Sequence, residues 1–183
     1  MESPNRIQDV PVSVFLAVSI VVVFSLYVTS AIKTIPCGGD VMSAFYSNFV
    51  HVEWSHLLVN LFALYALSRV ELATGGKNFT ALVIFLLIFT SAAEVIAKRF
   101  FPNLPCSIGF SGVLFGIATW EMVMTKELDF LLVASVVAMV VLPSLQDPKA
   151  SLLGHAVGAF AGVLGGLLWK NIGPALLKPG PKS

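Results

Sequence analysis

Residues 10–32 read VPVSVFLAVSIVVVFSLYVTSAI, and no charge occurs between Asp9 and Lys33. A helix needs about 20 consecutive apolar residues to cross the hydrocarbon core of a bilayer, so this run reads as one membrane span. No convincing small-residue cleavage site follows it, which favours a retained span over a removed signal peptide. The whole chain has the same character: 57% of its 183 residues are hydrophobic and 11% are charged, where a soluble domain carries about 25% charge. Such a composition cannot cover a water-facing surface, and an all-α membrane protein is the expected class.

Charges then punctuate the sequence into further apolar runs. Together they predict six helices, at about 10–32, 53–70, 78–98, 111–126, 129–143 and 150–169, the fifth stopped by Pro143. Residues 1–183 read as a single domain with short loops, no internal repeat and no soluble domain at either end. With a cytoplasmic N-terminus, that side collects Arg6, Arg69, Lys77, Lys126, Lys170, Lys178 and Lys182, against Lys33, Lys98, Arg99 and Lys149 opposite. The bias in basic residues therefore predicts both termini on the cytoplasmic side. The sequon Asn78-Phe79-Thr80 would then face the cytosol and stay unmodified. The net charge of +1 gives no basic face for nucleic acid.

In this arrangement several polar residues fall at one depth, in the outer part of the membrane. His51, His56 and Asn60 lie at the start of the second helix, Ser111 opens the fourth, and His155 is near the start of the sixth. His56 and Asn60, four apart, share a helix face; such a pair also fits plain polar glue between helices. Gly154, Gly158, Gly162 and Gly166 recur every four residues, and His155 faces nearly the same way; Gly112 and Gly116 form a matching pair in the fourth helix. Small residues let helix backbones approach closely, and packing these two stripes would bring the His155 ring to the Ser111 hydroxyl.

A serine hydroxyl is a weak nucleophile until a base takes its proton, and histidine is the usual base. The Ser111 backbone N–H, unpartnered at a helix start, and the side chains of His56 and Asn60 can donate to a developing oxyanion. No carboxylate falls at the depth of His155, so a Ser–His dyad is expected rather than a triad. Other chemistries fit less well. H-E-x-x-H is absent, and no aspartate lies in any span, which closes the aspartyl route. Three histidines at one depth leave a metal site conceivable. Glu94 and Glu121 leave a proton-coupled transporter conceivable, but Glu94 precedes Lys98 by four residues and reads as a helix-end ion pair. Glu121 falls toward the far end of the fourth helix.

The pattern resembles the rhomboid family of intramembrane serine proteases. Gly109-Phe110-Ser111-Gly112 is similar to its G-x-S-G motif, and His155 to Gly162 (HAVGAFAG) to its sixth-helix motif H-x-x-G-x-x-x-G. His51 to Asn60 (HVEWSHLLVN) resembles the second-helix motif, and Val70-Glu71 with Gly75 the turn that follows it. The resemblance implies a six-helix bundle with a short central fourth helix and a wet cavity opening to the outer side. Ser111 is then the nucleophile, His155 the base, and His56, Asn60 and the Ser111 N–H the oxyanion donors. His51, Gly109, Phe110 and Phe115 line the cavity, and Gly112, Gly116, Gly158 and Gly162 serve helix packing. It implies cleavage of peptide bonds in or near the transmembrane segments of other membrane proteins, with no metal or other cofactor. The alternative within the family is an inactive relative that binds membrane clients for trafficking or disposal; such relatives typically lose Ser or His, and this chain keeps both.

Three positions depart from the family pattern. Met42-Ser43 stands where many relatives have Trp-Arg, Phe115 where many have tyrosine, and Ile108 where glycine is frequent. Cys37 and Cys106 both fall on the outer side, where either a disulfide or two thiols is chemically reasonable.

Overall fold

The computed structural model describes residues 6–35, 39–104, 106–125 and 151–176, with Phe130, Val133, Ala134, Val137 and Val141 between them. The expected fifth helix over 129–143 and Cys37 lie largely or wholly outside the described residues. Those five intervening positions are each helical. All regular structure among the described residues is helical: α1 (Arg6–Asp9), α2 (Pro11–Val28), α3 (Val41–Ser47), α4 (Trp54–Thr74), α5 (Gly76–Phe100), α6 (Ser111–Thr125) and α7 (Leu152–Leu176).

Among the described residues, four stretches are long and apolar enough to cross a membrane: Pro11–Val28, Trp54–Thr74, Gly76–Phe100 and Leu152–Asn171. Their outward faces are apolar. Phe15, Val59, Phe62 and Phe160 are each more than 60% exposed, a pattern suited to contact with lipid. The inward faces meet around Ile20, Phe24, Leu64, Phe79, Leu86, Phe110 and Ile117.

The N-terminal helix α2 is fastened by a distant acid. Pro11 occupies its first turn, where a missing N–H costs nothing, and no local side chain caps the next donors. Glu71, 1% exposed near the end of α4, does so instead. Its carboxylate accepts from the Val12 N–H at 2.9 Å, the Ser13 N–H at 2.8 Å and the Ser13 hydroxyl at 2.7 Å. Charge at a helix N-terminus is favourable, and charge-assisted bonds are the strong ones. Glu71→Ala strands those buried donors and is expected to cost about 1–3 kcal/mol, read as a clear drop in the thermal midpoint of the detergent-solubilised protein. An unchanged midpoint would show that α2 is held by its apolar face alone.

Three local features shape the rest. The motif resemblance implies a turn at Val70-Glu71 with Gly75, but α4 runs on through both to Thr74, where Glu71 has buried partners. Gly75 ends α4 and caps α5 with φ +78°, a conformation in which a side chain is strained. Between the first two spans, α3 is a short helix the apolar-run reading left as a loop. Its start is set by Asp40, whose carboxylate accepts from the Ser43 N–H at 2.9 Å and the Ser43 hydroxyl at 2.7 Å. Val41, Met42 and Tyr46 of α3 are exposed, while Ala44 and Ser47 are buried.

The closest helix pair is α6 with α7. A Cβ placed on Gly158 or Gly162 would lie inside the contact distance of the backbone oxygens of Gly112 and Gly116 respectively. A Cβ on Gly112 would sit 3.1 Å from the Gly154 oxygen, and one on Gly116 would sit 3.1 Å from the Gly158 oxygen. Gly112 thus faces residues 154 and 158, and Gly116 faces 158 and 162. Numbers rise together on both helices, so α6 and α7 run parallel and start at the same end. The Thr119 hydroxyl adds a cross-helix hydrogen bond to the Ala159 carbonyl at 2.9 Å. At the far ends, Arg69 of α4 clamps Glu121 of α6 through two bonds of 2.7 and 2.8 Å.

Candidate active site

Parallel packing sets the first turns of α6 and α7 side by side. His155 Nε2 lies 3.1 Å from Ser111 Oγ, within hydrogen-bond reach. Phe115, one turn into α6, stacks on the His155 ring with centroids 4.3 Å apart and planes at 39°. His155 is buried, and its Nδ1 has no hydrogen-bond partner among the described residues. For Nε2 to accept a hydrogen bond from the serine hydroxyl, the neutral imidazole must carry its single proton on Nδ1. No side chain among the described residues takes that Nδ1 proton as a third member would.

The loop before Ser111 is held by close contacts on both sides. Gly109 adopts φ +99° and lies under the His56 ring; a Cβ there would meet His56 Cε1 at 2.5 Å and Nε2 at 2.7 Å. Only glycine admits both the backbone angle and the ring. The Gly109 N–H donates to the Ser47 carbonyl at 3.0 Å, tying the loop to the end of α3. Phe110 is fully buried and packs on Phe49 with centroids 5.6 Å apart.

His56 therefore stands over Gly109, two residues before Ser111. Asn60 turns its amide nitrogen to the His56 carbonyl one turn back, at 2.8 Å, which engages one of its two N–H donors. Its Oδ1 is buried without a partner among the described residues. His51 is completely buried, stacks on His56 with centroids 4.8 Å apart, and its Nδ1 lies 3.3 Å from the Phe49 carbonyl. It does not reach Ser111 by any hydrogen bond seen here. Burial, then the neighbouring His56, push the His51 imidazole down to about 4, so it stays neutral at physiological pH. Among the described residues, no group of three or more His, Cys, Asp or Glu is placed to hold a metal ion.

Two contacts here were not legible from motif spacing. One is the Ser47 carbonyl that holds Gly109, a backbone partner no side-chain pattern announces. The other is the reach of Glu94 to the loop: its Oε1 pairs with Lys98 Nζ at 2.9 Å, as the four-residue spacing predicts, and also accepts from the Ser107 N–H at 3.3 Å. The presence of an acid inside an apolar span was the signal that pointed to it. Ile108 is half-buried in the same loop. Cys106 is disulfide-bonded; Cys37, the chain's other cysteine, lies outside the described residues.

Comparison with known proteins agrees with this arrangement at the level of family. The Rhomboid domain profile matches residues 38–171. A relative from Acanthamoeba polyphaga mimivirus, carrying the name "Putative rhomboid protein", is 29% identical over 124 residues, which span 67% of this chain and 72% of the relative. With its long apolar helices the molecule is an integral, multi-pass membrane protein in contact with lipid, and the chain belongs to the rhomboid family.

Proposed function

We propose that this chain is an intramembrane serine protease that hydrolyses peptide bonds in or near the transmembrane segments of other membrane proteins. The observation that carries this reading is the 3.1 Å approach of His155 Nε2 to Ser111 Oγ at the start of two parallel helices. Residues 1–183 act as one domain. Parallel α6 and α7 require the chain between them to cross back, which supports a fifth span over 129–143 and a six-span bundle. By the resemblance of its motifs, α6 is the short central helix of the bundle, and Ser111, its first residue, sits below the lipid surface, in a hollow open to the extracytoplasmic side, with both termini cytoplasmic.

The reaction follows from the atoms present. Ser111 Oγ attacks the carbonyl carbon of the scissile bond while its proton passes to His155 Nε2. The oxyanion of the tetrahedral intermediate accepts from the Ser111 N–H and from donors of His56 and Asn60. The C–N bond then breaks, His155 gives its proton to the departing amine, and an ester on Ser111 remains. Water, deprotonated by His155, hydrolyses that ester and restores both groups. His51, Gly109, Phe110 and Phe115 shape the hollow, and Phe115 holds the imidazole plane. Gly112, Gly116, Gly158 and Gly162 admit the helix approach on which the dyad depends. A protein that only binds clients has no need of this serine–histidine contact.

The reading is tested by reconstituting the purified protein in liposomes with a single-pass substrate whose apolar segment carries helix-weakening residues. Mass spectrometry is expected to find product ends in or next to that segment for the wild type and none for Ser111→Ala. Equal cleavage by both proteins would refute the reading.

A further inference from the structure

Glu94 is the one acid within Gly76–Phe100, and it is almost enclosed: its side chain is 12% exposed and that of Lys98 is 15%. A shielded ion pair pays desolvation that its attraction does not reliably return, and an ionisable residue in a span points to a task. The same Oε1 that meets Lys98 accepts from the Ser107 N–H. Ser107 in turn lies against the first turn of α7, where its Oγ would be 2.6 Å from a Cβ on Gly154, the residue before His155. From Ser107 the chain runs only through Ile108, Gly109 and Phe110 to Ser111, and Gly109 is held by the Ser47 carbonyl at 3.0 Å.

We propose that Glu94 is a positioning residue for the dyad: anchored by Lys98, its carboxylate grips the backbone at Ser107 and sets the height of the loop that delivers the Ser111 N–H and hydroxyl. This rests on the reading of Ser111 and His155 as the proteolytic pair. The task of Glu94 is then its reach to Ser107, and the charge pairing with Lys98 serves that reach.

Two conservative variants separate reach from charge. Glu94→Asp keeps the charge and loses one methylene of reach; Glu94→Gln loses the charge and keeps a carbonyl at full length. On monodisperse, folded protein, Glu94→Asp is expected to lower kcat about ten- to a hundredfold, the scale of a sub-ångström to 1 Å misplacement, with KM within twofold. Its rate of Ser111 labelling by a fluorophosphonate should fall in parallel, while Glu94→Gln stays within about threefold of wild type in both. The opposite order, or wild-type kcat in Glu94→Asp, overturns the proposal and leaves Glu94 a structural ion pair. Ser111→Ala is measured alongside: if it cleaves, the dyad reading itself fails; if it is silent while Glu94→Asp is fully active, only the role of Glu94 fails.

Discussion

Replacing either Ser111 or His155 with alanine is expected to reduce kcat/KM for a transmembrane substrate by about a thousandfold or more, with little change in thermal midpoint. On the proposed mechanism the two residues act as one unit, because the hydroxyl is unreactive unless the imidazole 3.1 Å away takes its proton. The double variant should therefore be no slower than the worse single one. Independent contributions would instead multiply, and a double variant far below either single would separate the two residues mechanistically. Phe115→Ala, which removes the ring stacked on His155, should fall between these extremes and wild type.

The second large effect concerns the seam between α6 and α7. Gly158→Val adds a branched side chain where even a Cβ collides with the Gly112 backbone. Backbone cannot yield as a flexible side chain can, so the helices must separate. Overpacking of this kind costs about 1–3 kcal/mol, and a separation near 1 Å between reacting groups costs about a hundredfold in rate. Gly158→Val is thus expected to lose both stability and nearly all cleavage. Gly39→Ala is the control, since a Cβ on Gly39 meets nothing within 4 Å and both properties should be unchanged. A fully active Gly158→Val would mean that the helices do not meet along this stripe.

How much of this was readable beforehand depends on the range of the interaction. The apolar runs are local, so the long helices α2, α4, α5 and α7 show in the spacing of charges. The approach of α6 to α7 shows in glycines spaced by four on each, since close contact demands small residues at helical period. The short helix α3 did not show, because seven residues leave no hydrophobic period; its signal is the Asp40–Ser43 cap. The end of α4 was misread because the partners of Glu71 lie 58 and 59 residues away in sequence, and such a bond leaves no trace in local pattern. Within the candidate site, the approach of His155 to Ser111 was legible from the glycine spacing. The turn of Asn60 toward the His56 carbonyl and the grip of Glu94 on Ser107 were not, since both depend on backbone groups that every residue carries.

The claim on which the account stands is that the Ser111 hydroxyl is made nucleophilic by His155. Labelling by a fluorophosphonate, followed by intact mass and peptide mapping in wild type and His155→Ala, tests it most directly. A single adduct on Ser111 is expected in the wild type, with labelling at least about a hundredfold slower in His155→Ala. An adduct on another residue, or Ser111 labelled at equal rates in both proteins, would contradict it.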